Sequence, residues 1–178
     1  MNVILDSNEV TKTLRRLAHE VIENYVDLNN LVIIGIVTRG EFLAKRLHDI
    51  IYQIERVDIP CGYLDVTLYR DDLDHRKSLK QSKSSVIPSI NNKNVLLIDD
   101  VLFEGRTIRA ALDAIKDFGR PASVKLLVLV DRGLRKLPIS GDFVGKTITT
   151  TPKQLVKVNI SEIDNKDSIE ILEASIKV

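Results

Sequence analysis

The sequence predicts an α/β protein, with a mostly parallel central sheet flanked by helices. Short, continuous runs of aliphatic and β-branched residues at 31–37, 95–98 and 124–130 have the pattern of strands buried on both faces. Between them lie stretches in which apolar residues recur three and four positions apart, as in amphipathic helices. This alternation favours parallel strands that are joined by helical crossovers.

The remaining elements follow from local signals. A first helix can begin at a cap on Asp6 or Ser7, and further helices follow the first and second buried runs. Alternating apolar residues at 61–70 indicate a half-covered strand, and shorter strand-like pieces lie between 143 and 172. The polar, serine- and lysine-rich segment 71–94 is too long for an ordinary connection, so we interpret it as a functional or disordered loop.

Composition excludes several classes of protein. The 178 residues carry a formal net charge of +1, which argues against sequence-blind binding of nucleic acid. The single cysteine, Cys61, excludes an internal disulfide and a cysteine cluster for a metal. The N-terminus lacks the pattern of a signal peptide, and no apolar run is long enough to cross a membrane. We therefore expect one domain, residues 1–178, in the cytoplasm.

The stretch VLLIDDVLFEGRTI (95–108) carries the strongest functional signal. Asp99 and Asp100 end a buried run, although a dry, unpaired carboxylate costs several kcal/mol. Gly105 precedes a helix whose free N–H groups can cradle an anion, most naturally a phosphate monoester. A capped turn with two solvated acids is the alternative interpretation, but a ribose 5-phosphate would use both the acids and the cradle.

Two other phosphate-handling folds fit less well. A phosphoacceptor receiver domain needs a further buried aspartate and a lysine in other loops, and the loops here offer Thr38-Arg39 and Asp131-Arg132. A dinucleotide fold needs G-x-G-x-x-G after its first strand, and IGIVTRGEF lacks it. Because ligands of parallel sheets bind beyond the carboxyl ends of the strands, we expect the loops 38–40, 99–107 and 131–133 to meet.

The acid pair and its loop resemble the signature of the type I phosphoribosyltransferases. Four segments, IGIVTRGEFLAKRL, LDVTLYRDDL, VLLIDDVLFEGRTIRAALDAI and LVLVDRGLRKLPISGDFVGK, resemble in order and spacing the bifunctional pyrimidine operon regulatory proteins with uracil phosphoribosyltransferase activity. The likeness extends from about Val3 to about Ile160. It implies the type I fold with a small C-terminal hood, formation of UMP from uracil and phosphoribosyl pyrophosphate, and nucleotide-dependent binding of operon messenger RNA.

The resemblance also implies roles for individual residues. Asp99 and Asp100 would bind the ribose hydroxyls. Arg70, at the start of a flexible active-site loop at about 71–94, would act on the pyrophosphate. Mg²⁺ would arrive with the pyrophosphate rather than occupy a metal site of the protein. The expected substrate-binding residues are Thr38, Arg39 and Gly40 for pyrophosphate, Phe103, Glu104, Gly105, Arg106 and Thr107 for the 5′-phosphate, and Arg132 and Val156 for uracil.

A basic face of the first helix is the candidate RNA-binding surface, although a solvated surface is the ordinary interpretation of such a pattern. In the resembling family this face acts together with the segment after 131–133 and a later lysine. Leu134 and Ser140 depart from the family, which usually has histidine and arginine there, at a cost of about 1–3 kcal/mol per lost contact. The residues that match are Arg15, Arg16, His19, Thr38, Arg135 and Lys146.

Glu104 is a departure at the enzymatic site, where the family has a threonine or a similar small residue. Because an inward carboxylate would repel the phosphate, we expect Glu104 to point away from the cradle, toward solvent. Three interpretations remain: a transferase that also regulates through RNA, a transferase that has lost RNA binding, and an RNA-binding nucleotide sensor with little catalysis. The resemblance further implies a homo-oligomer, a dimer or larger, without a membrane partner.

Overall fold

The computed structural model describes residues 2–70 and 84–173, so residues 71–83 of the predicted active-site loop lie outside the described residues. No helix within these ranges is long and apolar enough to span a membrane. In chain order the elements are β1 (Asn2–Leu5), α1 (Ser7–Asn24), β2 (Leu31–Ile36), α2 (Arg39–Glu55), β3 (Cys61–Leu64), β4 (Asn94–Leu102), α3 (Arg106–Ile115), β5 (Ser123–Asp131), β6 (Phe143–Thr147), β7 (Gln154–Asn159), α4 (Ser161–Asp164) and β8 (Ser168–Glu173).

A five-stranded sheet in the order β3-β2-β4-β5-β6 forms the centre of the protein, and all its described pairings are parallel. The predicted α/β architecture is therefore confirmed. Alternate residues of the central strands enter two separate cores. Ile33 and Ile98 pack on the side of α1 and α2, while Ile34 and Leu97 pack on the side of α3. Burial on both faces explains why these strands read as unbroken apolar runs.

A second, antiparallel sheet in the order β1-β8-β7 forms the hood. The sequence predicted a C-terminal hood, whereas the structure adds the N-terminal strand, in which Asn2 pairs with Ile171 and Leu5 with Ile169. The cap of α1 is Asp6, which accepts a hydrogen bond from the amide of Glu9, while the Glu9 carboxylate accepts one from the amide of Asp6. Each bond is 2.9 Å long and together they form the predicted capping box.

The predicted strand at 61–70 is wrong beyond Leu64. Asp65 accepts hydrogen bonds from the amide of Thr67 at 2.8 Å and from its hydroxyl at 2.5 Å. An aspartate that bonds to the backbone two residues ahead turns the chain out of the sheet. A short 3₁₀ helix, Thr67–Tyr69, follows and places Arg70 beside the sheet edge that carries the candidate site.

Candidate active site

Asp99 and Asp100 are the sixth and seventh of the nine residues of β4, rather than part of the loop after it. Asp99 is only 7% exposed. Its Oδ1 accepts a 2.9 Å hydrogen bond from the amide of Asp100, and Oδ1 of Asp100 accepts one of the same length from the amide of Val101. Each acid thus uses one carboxylate oxygen to bond to its own strand, and the two carboxyl groups also interact with each other.

The charges around this acid pair come from two of the predicted loops. Burial raises the pKa of both carboxyl groups. For Asp99, burial and then the charge of Asp100 raise the pKa well above its ordinary value. Arg70 opposes the shift of the Asp99 pKa, and Arg39 opposes the shift of the Asp100 pKa. The structure therefore brings both predicted arginines close to the acids.

The loop between β4 and α3 forms an open cradle. Gly105 has a φ of 94°, in the left-handed region that favours glycine, and a Cβ there would lie 3.3 Å from Cβ of Leu137. No side chain caps the N-terminus of α3, so its first amides are available to an anion. Arg70 and the segment 101–108, which includes Thr107, line a cleft of about 200 Å³ at this point.

Glu104 is turned toward the segment 133–139 instead of lying free in solvent. Its carboxylate forms ion pairs with Arg106 Nε at 3.0 Å and with Lys136 Nζ at 3.1 Å. The hydrogen bonds from Lys136 and then from Arg106 lower the pKa of Glu104, so the group is ionised and neutralised by its neighbours. The expected repulsion of a phosphate is correspondingly reduced.

The segment 38–40 begins α2 and approaches β4 closely, after a cis peptide bond between Val37 and Thr38. A Cβ on Gly40 would lie 2.4 Å from the carbonyl oxygen of Ile98, so only glycine allows the helix to start here. Thr38 is exposed, whereas Arg39 reaches toward the hood. This approach places the predicted pyrophosphate loop next to the acid pair.

Arg132 joins the central sheet to the hood. It is 4% exposed, and its guanidinium donates to Thr150 Oγ1 at 3.1 Å and to the carbonyl oxygens of Thr151 and Gln154 at 3.3 and 2.7 Å. Its Cζ also lies 4.0 Å from the centroid of the Phe103 ring, a cation–π contact. Nε and Nη2 of Arg132 are therefore already used in hydrogen bonds within the protein. Val156, the other residue predicted to frame uracil, is half-buried on β7.

The predicted RNA-binding residues do not all share one surface. Arg15, His19 and Lys146 are exposed, and Arg16 donates to the carbonyl oxygens of Val144 and Gly145 at 3.2 and 2.5 Å, which places it beside Lys146. Arg135 instead points inward. It pairs with Asp131 and donates to the carbonyl oxygens of Phe103 at 2.7 Å and Ile139 at 2.8 Å. The role of Arg135 in binding RNA stays a prediction.

Sequence reasoning missed several residues around the site. Asp131 holds the turn after β5, since its Oδ1 accepts from the amide of Gly133 at 2.9 Å, and the D-x-G spacing is a signal that could have found it. Asp164 and Lys136 also bond to site residues, and no local motif identifies them. Within the described ranges, no group of three or more His, Cys, Asp or Glu side chains is arranged to hold a metal ion.

Comparisons with known proteins agree with this geometry. The model of the phosphoribosyl transferase domain matches residues 2–162. The chain is 49% identical over 169 residues to Bifunctional protein PyrR of Microcystis aeruginosa, covering 95% of this chain and 96% of that one. It is 48% identical over 173 residues to Bifunctional protein PyrR of Oceanobacillus iheyensis, covering 96% of each.

Solved structures show the same fold at lower identity. A hypoxanthine phosphoribosyltransferase from Staphylococcus aureus superposes with a TM-score of 0.70 at 22% identity, covering 98% of this chain and 94% of that one. A hypoxanthine phosphoribosyl transferase of Trypanosoma cruzi gives a TM-score of 0.72 at 19% identity, covering 97% and 91%. With its acid pair, amide cradle and full-length relatives, the chain belongs to the phosphoribosyltransferase family, in the branch whose curated members are called Bifunctional protein PyrR.

Proposed function

We propose that this protein transfers the phosphoribosyl group of phosphoribosyl pyrophosphate to uracil, forming UMP and pyrophosphate, and that it regulates pyrimidine operon expression by binding operon messenger RNA when nucleotide is bound. One observation carries the enzymatic part: a buried pair of acids lies beside an uncapped helix N-terminus, with two arginines nearby. The likeness to the bifunctional relatives supports uracil as the base and RNA as the second ligand.

The acids and the cradle divide the ribose 5-phosphate between them. Asp99 and Asp100 accept hydrogen bonds from the two ribose hydroxyls through the carboxylate oxygens that their own strand leaves unused. The first amides of α3, with Thr107, bind the 5′-phosphate at the positive end of the helix dipole. Holding the ribose 5-phosphate at these two points fixes the position of the anomeric carbon, and most of the catalytic effect of such a site comes from position.

The leaving group is bound on the opposite side. As pyrophosphate departs, the ribose becomes oxocarbenium-like and negative charge develops on the leaving oxygens, which Arg39 and Arg70 stabilise. Mg²⁺ would arrive with the pyrophosphate rather than occupy a metal site of the protein, and it would add positive charge where the leaving group departs.

Uracil lies between the hood and the end of β5. Arg132 fixes the hood against Phe103, so the backbone of this segment and Val156 can present a constant edge to the ring. The RNA lies on the face formed by α1 and β6, where Arg16 reaches the carbonyl oxygen of Gly145, next to Lys146. Arg15 and His19 are exposed on the same helix, and an exposed Thr38 precedes the first residue of α2. Positive side chains on such a face bind phosphates and make binding dependent on salt.

A direct pair of assays tests both activities. UMP formation is measured from labelled uracil and phosphoribosyl pyrophosphate with wild-type protein and with the double variant Asp99→Asn/Asp100→Asn, which is expected to be inactive but folded. Retention of the operon leader RNA is measured with and without UMP, against a scrambled RNA of the same length. Wild-type turnover in the double variant would remove the ribose-binding role of the acids.

Two alternatives remain, and a specific observation bears on each. Leu134 and Ser140 favour a transferase that has lost RNA binding, because Leu134 is a 40% exposed apolar residue where the family has a polar one. The sensor with little catalysis would need Glu104 to weaken substrate binding. Its ion pairs with Arg106 and Lys136 speak against that alternative.

A further inference from the structure

Asp164, at the end of α4, fixes the direction of the Arg39 side chain. Both of its carboxylate oxygens accept a hydrogen bond of 3.1 Å from Nη2 of Arg39. The carboxylate is itself held by the backbone amide of Ile160, which donates to Oδ2 at 3.0 Å. The side chains of Arg39 and Asp164 are 29% and 17% exposed, so the pair is shielded from most of the screening that weakens surface ion pairs.

The rest of the Arg39 guanidinium is left for another partner. Nε is buried and has no hydrogen-bond partner among the described residues. A buried donor without an acceptor costs free energy, but Nε is too deeply buried to reach a ligand from solvent. A guanidinium has five N–H donors, and the bonds to Asp164 come from Nη2 alone, so the donors on Nη1 remain for a ligand. The charge of Arg39 also reaches Asp100, whose pKa it lowers.

A second ion-pair group shows that the hood does not need Asp164 for its attachment. Arg46, seven residues further along α2, donates to Glu162 Oε1 at 2.8 Å, to Asp167 Oδ1 at 2.9 Å and to Ser161 Oγ at 2.7 Å. These bonds hold the same short segment to the same helix. The ion pair between Asp164 and Arg39 is therefore not required to attach the hood, and it can have a role at the active site.

We propose that Asp164 is a positioning residue, which holds Arg39 so that its unused donors face the pyrophosphate of phosphoribosyl pyrophosphate. The inference rests on the proposed function and deepens it, because it gives the hood a role at the leaving group as well as at the base. An arginine held from one side binds a phosphate oxygen with less loss of side-chain freedom.

The test uses Asp164→Asn, which keeps an acceptor for the Ile160 amide and removes the charge that holds Arg39. Glu162→Gln is the matched control, since it makes the same kind of change in the same helix at the pair with Arg46. Calorimetry measures the affinity of full-length protein for phosphoribosyl pyrophosphate with Mg²⁺, and for UMP, which lacks the pyrophosphate. We expect Asp164→Asn to weaken the first by about tenfold and the second by less than about twofold, with the KM for phosphoribosyl pyrophosphate rising in parallel.

A double-mutant cycle with Arg39→Gln separates positioning from a general effect. If Asp164 acts through Arg39, adding Asp164→Asn to Arg39→Gln causes no further loss of affinity. Unchanged or tighter binding by Asp164→Asn, an equal loss for UMP, or an equal loss in Glu162→Gln overturns this inference alone. Wild-type protein that binds no phosphoribosyl pyrophosphate overturns the proposed function and this inference with it.

Discussion

The acid pair of β4 should make the free protein less stable at neutral pH. Burial raises the pKa of both Asp99 and Asp100. A carboxyl group whose pKa is raised by folding stabilises the folded state below the ordinary carboxyl pKa of about 4, and this contribution is lost as the pH rises through the folded-state pKa. Once both groups are ionised, their repulsion and desolvation act against folding.

Asp99→Asn removes one of these charges without removing the hydrogen bond to the strand, because the Asn oxygen can still accept from the amide of Asp100, now 2.9 Å away. Two charges about 5 Å apart repel by roughly 3 kcal/mol at an effective dielectric of about 20, and Arg70 offsets part of this. We expect the free energy of unfolding to rise by about 1–2 kcal/mol, which raises the unfolding midpoint by about 2–8 °C for a domain of this size. The same variant should lose transferase activity, a trade of function for stability.

The assay is thermal unfolding followed by circular dichroism, from about pH 4 to about pH 8. The gain of Asp99→Asn over wild type should shrink toward acid pH, where the wild-type carboxyl group takes up its proton. Asp113→Asn is the control, since Asp113 is exposed on α3 and has a lowered pKa, so its replacement should give no gain. A midpoint for Asp99→Asn below that of wild type at neutral pH would refute the reasoning, because the carboxylate would then stabilise the fold.

Three further predictions concern the cradle, the hood and the RNA face. Glu104→Thr should tighten binding of phosphoribosyl pyrophosphate by up to about tenfold, because it frees the cations of Arg106 and Lys136 beside the cradle. The KM for phosphoribosyl pyrophosphate measures this effect, and weaker binding would contradict the prediction. Arg132→Met should lower the unfolding midpoint by about 6–16 °C, because three hydrogen bonds and a ring contact worth about 3–4 kcal/mol in total are lost. The exposed Arg15→Met serves as its control, and equal midpoints would show that Arg132 does not join sheet and hood. Replacing Arg16 and His19 with Gln should weaken RNA retention and reduce its salt dependence by about one to two charges, with UMP formation unchanged. Equal binding of a scrambled RNA by the wild type would exclude specific RNA recognition.

The central sheet was predictable because burial on both faces leaves a local mark in the sequence. Every residue of β2 is buried, so the strand needs no alternation and reads as one apolar run. The sequence of β1 has no such apolar run. It has four residues, of which two are exposed, and its partner β8 lies at the other end of the chain. The predicted strand at 61–70 failed for a different reason, because the two hydrogen bonds that the Asp65 carboxylate accepts from the amide and hydroxyl of Thr67 override the alternation of apolar residues.

The site was predictable to the same extent. The acids, Gly105 and the start of α3 are consecutive in the sequence, so their chemistry is visible in a single motif. The direction of an arginine is not local. Arg39 turns to Asp164, 125 residues away, and Arg135 turns to carbonyl oxygens at the end of β4, 32 and 33 residues away. A basic residue in a loop therefore indicates a charge, while its partner is decided by the packing of the whole domain.

Glu104 shows how far such packing changes the meaning of a residue. In the sequence Glu104 is an acid in a loop that is expected to bind a phosphate, and that position alone predicts repulsion between the carboxylate and the phosphate. In the structure its carboxylate joins Arg106 to Lys136, and its carbonyl oxygen accepts hydrogen bonds from the amides of Lys136 at 3.1 Å and Leu137 at 3.2 Å. Arg135 ties the same two segments from the other side through the carbonyl oxygen of Phe103. The acid therefore stabilises the loop whose amides form the cradle, and it does so in the ionised form that the lowered pKa ensures.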